Sequence, residues 1–401
     1  MEFREFVFLM ALLQALVALA IDAMLPALGV MARDLGATDP NLRQLPVGIF
    51  LIGMGVGALI PGMLADRFGR RPVLMVCLAF YVVPMLACAL TTDFMTLVAL
   101  RGIQAVGCSG LAVLPAAIIR DRFEGDRMAR LQSLVAVIFM TVPMLAPTIG
   151  QAIMFAFGWR WIFGFMAALG LAVTLWTWLR LPETLHDDHR QAIQPRALIA
   201  NMKTVLTCRE AIGYVLSSAL MMSAIWSFIN SSQQLIGEHF GAGDSFPYVF
   251  GLLALGMSLA NFVNSRIVER FGTRRVSHSA LFLYIAVALA QVWFASQPDQ
   301  SLWQFVPLMA ANMALNGFMG ANFGAIALQP FSRMAGAASS VQSFVRTMIA
   351  ALLGGAVGQA YDGTAMPLAS ALLAAGLASL ALVLFSERGC LFRRLNKPDN
   401  Q

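Results

Sequence analysis

The chain has 401 residues, 59% of them hydrophobic and only 12% charged, with a mean hydropathy of +0.74. Soluble domains carry about 25% charged residues, so half of the usual solvated surface is missing and a water-soluble enzyme or carrier is excluded. The net charge of +6 and pI near 9.4 suggest nucleic acid at first sight, but the placement of the basic residues answers to another cause, given below.

A membrane-crossing helix needs about 20 mostly apolar residues at 1.5 Å per residue. Twelve such segments follow one another, near residues 6–31, 45–65, 73–91, 95–119, 131–157, 161–181, 210–236, 246–268, 277–295, 302–328, 336–360 and 366–386. Backbone in lipid must satisfy its own hydrogen bonds, so these are expected as helices, and the short alternating segments of an outer-membrane barrel are absent. Ala18-Leu19-Ala20 in the first span resembles a signal-cleavage triplet. The apolar run is longer than a signal core and Arg4 lies between Glu2 and Glu5, so this segment reads as a retained helix.

A charge at mid-bilayer costs about 2.5–3.5 kcal/mol or more, so each one calls for a reason. Asp22, in the first span beside Pro26, is the one acidic residue well inside a predicted span. Taking a carboxyl group out of water favours its protonated form; the expected role is reversible proton binding, and the alternative is a structural bond beside the Pro26 kink. In the second span Gly53-Met54-Gly55-Val56-Gly57 resembles a nucleotide-binding glycine run, but no strand precedes it and close helix packing through Gly53 and Gly57 explains it better. The loop from Gly62 to Arg71, with Asp66, Arg67, Gly69 and Arg70, reads as a conformational lock. There Gly62 and Gly69 are expected to allow a tight turn, and Asp66 to cap a helix or pair with Arg120 or Arg122.

Arg101 enters the fourth span and Arg346 lies about ten residues, roughly 15 Å, into the eleventh. Either serves a polar cavity or snorkels to the interface. Uncharged polar residues at Gln14, Gln104, Trp226, Asn230, Gln233, Gln234, Asn316, Asn322 and Gln342 are the candidate cavity lining. Apolar walls with few polar points suit lipophilic ligands, and many of the 24 methionines fall in spans, where flexible thioethers repack readily.

The polar stretch from Leu181 to Arg209 divides the spans six and six. The expected organisation is an N-terminal six-helix bundle over 1–181, a linker over 182–208, a C-terminal six-helix bundle over 209–388 and a tail over 389–401. His186-Asp187-Asp188-His189 in the linker lacks a further ligand and reads as a solvated loop, so no metal site is expected. The five cysteines form no close pair, and no GxxxxGK[ST] phosphate loop is present, so neither a disulfide framework nor ATP drive is expected. With the linker, the even-numbered loops and both tails on one side, twenty-two of the 27 basic residues share that side, against Arg33, Arg43 and Arg160 opposite. The positive-inside rule then puts both termini in the cytoplasm of an inner membrane.

Echoes cross the divide. Asp66-Arg67-Phe68-Gly69 returns as Glu269-Arg270-Phe271-Gly272, Gly102 and Pro115 return as Gly317 and Pro330 at one common offset, and Gly150-Gln151 returns as Gly358-Gln359. Two repeated halves with a site near the midplane are a transporter pattern. The residues Pro61 to Pro72 resemble the loop signature between spans two and three of the major facilitator superfamily, and Leu100-Arg101-Gly102-Ile103-Gln104-Ala105-Val106-Gly107 resembles its fourth-span motif. Ile21-Asp22-Ala23-Met24-Leu25-Pro26-Ala27-Leu28, Arg120-Asp121, Pro143 to Gly150 and Pro182-Glu183-Thr184 are similar to the Bcr/CflA branch of drug:proton antiporters.

That resemblance implies an all-α fold of twelve transmembrane helices in two pseudo-symmetric bundles. It implies proton-coupled efflux of small lipophilic compounds of amphenicol or bicyclomycin type, without cofactors. Arg101 would then assist Asp22 in proton coupling, or pair with it, and Arg120 and Asp121 would join the lock. The fifth-span motif departs from the branch, with Val142 where a leading glycine is usual, while Pro143, Pro147 and Gly150 remain as kink positions. The departure keeps open a facilitator, or a proton-linked importer or exporter, of a small metabolite. An intramembrane enzyme would need a nucleophile with its base, which these spans lack, and a receptor on this fold would carry a soluble extension. The expected partners are a small-molecule substrate, protons and membrane lipid, not nucleic acid, and the expected state is a monomer.

Overall fold

The computed structural model describes residues 2–37, 40–123, 125–185 and 195–392, so the His186 to His189 segment lies outside the described residues. The chain forms two compact units, Met1–Gln194 and Pro195–Gln401, and among the described residues there is helix but no strand.

The first unit contains α1 (Phe3–Asp22), α2 (Leu28–Asp34), α3 (Leu45–Gly57), α4 (Ile60–Phe68), α5 (Arg70–Leu90), α6 (Phe94–Arg122), α7 (Gly125–Phe157) and α8 (Arg160–Arg180). The second contains α9 (Pro195–Thr207), α10 (Arg209–Ser232), α11 (Phe246–Phe271), α12 (Thr273–Ala295), α13 (Leu302–Leu328), α14 (Ala335–Gln359) and α15 (Met366–Ser386). The twelve expected spans are found as α1–α2, α3–α4, α5 to α8 and α10 to α15. Among the described residues nine segments are long and apolar enough to cross a membrane, ten with the bent pair α3–α4. α7 runs as one helix through the apolar stretch 131–157, and α13 carries Gln304, Asn312, Asn316 and Asn322. α9 is an additional helix within the expected linker, and it packs on α10 and α14.

Two of the expected spans are broken, each by a proline. Pro26 has no N–H to offer the Asp22 carbonyl and its ring crowds that carbonyl, so α1 stops at Asp22 and a 3-10 turn, Leu25–Ala27, leads into α2. Pro61 does the same to the Gly57 carbonyl, and α3 and α4 meet at a 42° bend. α7 runs through Pro143 and Pro147 unbroken. In the second unit Pro330 stands not in α13, as the echo with Pro115 suggested, but in a 3-10 turn beyond its end, because proline cannot continue the hydrogen-bond ladder.

Glycine sets the closest helix contacts of the first unit. A Cβ on Gly53 would lie 2.7 Å from the Ala105 Cβ and 2.8 Å from the Gly102 carbonyl oxygen, and one on Gly57 would overlap Ser109, so α3 lies directly against α6. A Cβ on Gly150 would overlap the Ala23 carbonyl, so α7 meets the chain break one residue after Asp22. α1 is buried from Phe6 to Asp22 on nearly every face, whereas α5 and α8 expose apolar side chains such as Val83, Leu86, Leu171 and Trp178, as helices facing lipid do.

Polar bonds hold the helix ends. Trp159 Nε1 donates to Asp34 at 2.8 Å, tying α2 to the start of α8. Asp93 caps α6 through the Thr96 hydroxyl and backbone N–H, and these bonds hold its carboxyl below the usual carboxylate range. At the other end Arg180 reaches Glu5 at 2.8 Å, fixing the end of α8 to the start of α1.

Candidate functional site

The Pro26 break leaves Asp22 at the last residue of α1, 5% exposed, and among the described residues no basic side chain forms an ion pair with it. Arg101, on α6, is completely buried. It does not meet Asp22. Its Nη2 donates to the Ala20 carbonyl at 2.7 Å, its Nη1 donates to Gln104 Oε1, and its guanidinium carbon lies 4.2 Å from the centre of the Phe50 ring. The carbonyl it holds is two residues from Asp22, so the cation braces the broken end of α1 through backbone. An aromatic face and a carbonyl oxygen both attract a guanidinium, which accounts for its burial without a carboxylate. Arg101 Nε and Gln104 Nε2 have no protein partner.

The polar residues expected to line a cavity fall into two groups. Gln104 is fully buried and held by Arg101; Asn316 donates to the Met221 carbonyl at 2.7 Å and ties α13 to α10; Asn322 donates to Asn264 at 2.9 Å and ties α13 to α11. Their amides are spent on packing one helix to the next. The other group keeps unused capacity. Asn230 donates to Trp226 one turn back on α10 but its Oδ1 has no protein partner, nor do Gln233 Oε1 and Arg346 Nε. Gln233 opens a π-helical turn, Gln233–His239, that also holds the buried Gln234. Trp226 is packed against Gly354 of α14; Gln14 and Arg346 are half-buried, and Gln342 is buried with its amide close to Gly324.

The lock differs from its expected form. Asp66 lies in the last turn of α4, not at a helix N-terminus, and pairs with Arg70 at 2.6 Å; Arg70 also donates to Asp121 at 2.8 Å. Arg70 is 4% exposed, because two carboxylates receive it. Arg120 is exposed, and the Arg122 guanidinium lies over the Phe6 ring at 5.1 Å, so neither is the partner of Asp66. Gly62 lies inside α4 with open space where a Cβ would be; the turn is made by Gly69 alone, at φ 104°, which side chains other than hydrogen resist.

A residue with no assigned role completes this corner. Glu183, just past α8, accepts from the backbone N–H of Arg70 at 2.9 Å and of Arg71 at 3.1 Å, and a Cβ on Gly69 would come within 2.5 Å of its carboxylate. A carboxylate at the positive end of α5 is stabilised by the helix dipole and by two otherwise open donors. The second unit also sets an acid just past its last helix, Glu387 after α15, but this one receives side chains, Arg274 Nε at 2.6 Å and the Tyr214 hydroxyl at 2.6 Å. The signal was present in the repeat: Glu387 follows the last span as Glu183 follows the sixth.

Removing one partner of a buried pair leaves the other charge uncompensated, so Asp121→Ala is expected to cost about 3 kcal/mol. Asp66, with its side chain 40% exposed, is expected to cost about 1 kcal/mol or less when changed to alanine. Thermal melts of the two purified variants check the order; equal losses would show that Asp121 is not the main partner of Arg70.

Residues 10–355 match the family described as Major Facilitator Superfamily. The bicyclomycin resistance protein homolog of Haemophilus influenzae is 26% identical over 366 residues, covering 90% of this chain and 91% of that protein. The multidrug resistance protein MdtL of an Escherichia coli strain is 30% identical over 376 residues, covering 92% of each. The solved structure of the xylose transporter XylE from Escherichia coli superposes with a TM-score of 0.72 at 12% identity, over 96% of this chain and 98% of that one. The human organic anion transporter MFSD10 gives 0.67 at 18% identity, over 96% and 99%; at these identities the likeness is one of fold.

Proposed function

The chain belongs to the Major Facilitator Superfamily, a multi-pass membrane transporter family, and on that footing we propose that it exports small lipophilic compounds of amphenicol or bicyclomycin type in exchange for protons. The observation that carries the proton half is Asp22: a buried carboxyl group at a helix break, with no cation paired to it among the described residues. Unpaired acids within spans mark proton relays. Arg101 acts from the neighbouring helix by holding Ala20; it keeps its proton at any working pH, so it positions and does not shuttle. The drug half draws support from the names of the relatives and from the sparse polar atoms left unused on Asn230, Gln233 and Arg346.

In this reading both termini face the cytoplasm, as the basic residues require, and a proton moving inward drives substrate outward. One charge falling through 100 mV releases about 2.3 kcal/mol, which supports roughly a fifty-fold concentration ratio. The two ion-pair corners, Asp66–Arg70–Asp121 with Glu183 and Arg274–Glu387 with Tyr214, act as latches within their own units that hold one arrangement of helix ends until the cycle breaks them.

The test is proton movement in proteoliposomes on addition of chloramphenicol or of a lipophilic cation. A substrate-dependent pH change absent from protein-free vesicles is expected. Substrate equilibration with no proton movement would replace the antiporter by a facilitator, the reading that the Val142 departure favours.

A further inference from the structure

A groove on the second unit is built in a way that transport does not use. It lies where α11 ends and α12 begins, with α13 behind, and encloses about 650 Å³, a volume in the range of about 300–1,000 Å³ of small-ligand pockets. Ile267, Phe271, Leu283, Leu315 and Phe318 make its walls, and Phe271 and Leu283 are half exposed. One charged side chain lines it, Arg275.

Its remaining wall is the chain beyond α15, folded back at some cost. Among the described residues, Arg388 and Phe392 are the non-glycine positions at positive φ, 52° and 63°, a conformation that side chains with a Cβ resist. The Arg388 turn is closed by backbone bonds, from the Gly389 N–H to the Leu384 carbonyl at 2.9 Å and from the Cys390 N–H to the Glu387 carbonyl at 3.0 Å, and the groove side holds Phe392. The Phe392 N–H donates to His278 Nδ1 at 3.2 Å, its ring stacks on Phe282 at 6.2 Å, and its carbonyl accepts from Arg275 Nε at 3.4 Å. The strained turn therefore places an aromatic wall and aims Arg275. That guanidinium is exposed, has no other protein partner among the described residues, and belongs to the first turn of α12, the helix end that favours anions.

An apolar trough open toward the outside of a membrane-embedded bundle, with a cation at its mouth and no acid in its lining, matches one ligand chemistry. We propose that this groove holds an acyl chain of an anionic phospholipid, with the phosphate on Arg275. A lipophilic cation is disfavoured by Arg275, and a free anion has no use for the apolar walls. Headgroup selectivity comes from Arg275, and retention comes from the trough.

Native mass spectrometry of the full chain in detergent, titrated with dioleoylphosphatidylglycerol or dioleoylphosphatidylcholine, tests this. The wild type is expected to bind the anionic lipid about fivefold more tightly, the worth of one basic residue at an anionic surface. Arg275→Gln should erase that preference and leave phosphatidylcholine binding as it was, and Ser279→Trp, which fills the groove, should weaken both. Equal binding of the two lipids by wild type, or a preference that survives Arg275→Gln, would overturn the proposal. So would displacement of lipid by glycerol phosphate at equal concentration, which would mark a simple anion site. A lipid-free dimer abolished by Ser279→Trp would assign the groove to a second copy of the chain. The assay reads lipid and not transport, so its failure leaves proton exchange at Asp22 standing.

Discussion

Replacing Asp22 by asparagine is expected to abolish substrate-dependent proton movement while leaving the protein folded and able to exchange substrate at equal concentrations. Asparagine has nearly the shape of aspartic acid and is neutral at every pH. Nothing in the surrounding packing depends on the carboxylate: the chain breaks because of Pro26, α7 fits because of Gly150, and Arg101 holds the Ala20 carbonyl. No described side chain nearby can take the role over, since Arg101 is permanently charged. Uphill accumulation should fall from about fifty-fold at 100 mV to none, and the pH dependence of transport should disappear with it. Asp22→Glu, which keeps a titratable group one methylene further out, should retain part of the coupling. Parallel measurement of proton uptake and of labelled-substrate counterflow separates the outcomes. Proton movement that persists in the asparagine variant would remove Asp22 from the mechanism, and loss of counterflow as well would make it a structural residue.

Asp22 was visible because a carboxyl group in an apolar run is costly, and that argument needs no coordinates. The span pattern was visible for the same reason, since bilayer thickness imposes a length on every helix. Each proline withdraws a donor from the carbonyl four residues earlier, but α7 runs through Pro143 and Pro147 unbroken, so that Pro26 and Pro61 break their spans was not legible from local chemistry alone. The choice of partners was not legible. Arg101 had three expected destinations, the Asp22 carboxylate, a polar cavity or the interface, and packing instead lays it over Phe50 and bonds it to Ala20.

The same holds at the lock. Arg70, Arg71, Arg120 and Arg122 are equivalent as letters, yet only the side chain of Arg70 lies between Asp66 and Asp121, while Arg122 turns to Phe6. Glu183 escaped because its function is to receive two backbone N–H groups more than a hundred residues away, and no short-range spacing announces that. Asn316 and Asn322 looked like cavity residues because polar atoms in lipid need partners. They have them, in Met221 and Asn264 of neighbouring helices.

Glycine substitutions should separate close packing from habit more sharply than any other changes in this chain, with Gly150 showing the largest effect. A methyl group there meets backbone, the Ala23 carbonyl, and backbone cannot turn aside as a side chain does. α7 must move off the break that follows Asp22, so Gly150→Ala is expected to cost about 3 kcal/mol or more, at the upper end of overpacking penalties, and to stop transport even where protein accumulates. Gly53→Ala meets the Ala105 methyl and the Gly102 carbonyl at 2.7 and 2.8 Å and should cost about 1–3 kcal/mol. Gly62→Ala is the control. It lies within α4 with nothing within 4 Å of the added methyl, and alanine is favoured over glycine in a helix interior by about 1 kcal/mol, so its melting temperature should rise slightly. Melts and uptake assays of the three variants give the ranking. If Gly150→Ala melts like Gly62→Ala and still transports, then α7 does not rest on the Ala23 carbonyl, and the helix break beside Asp22 is not held in the way the structure indicates.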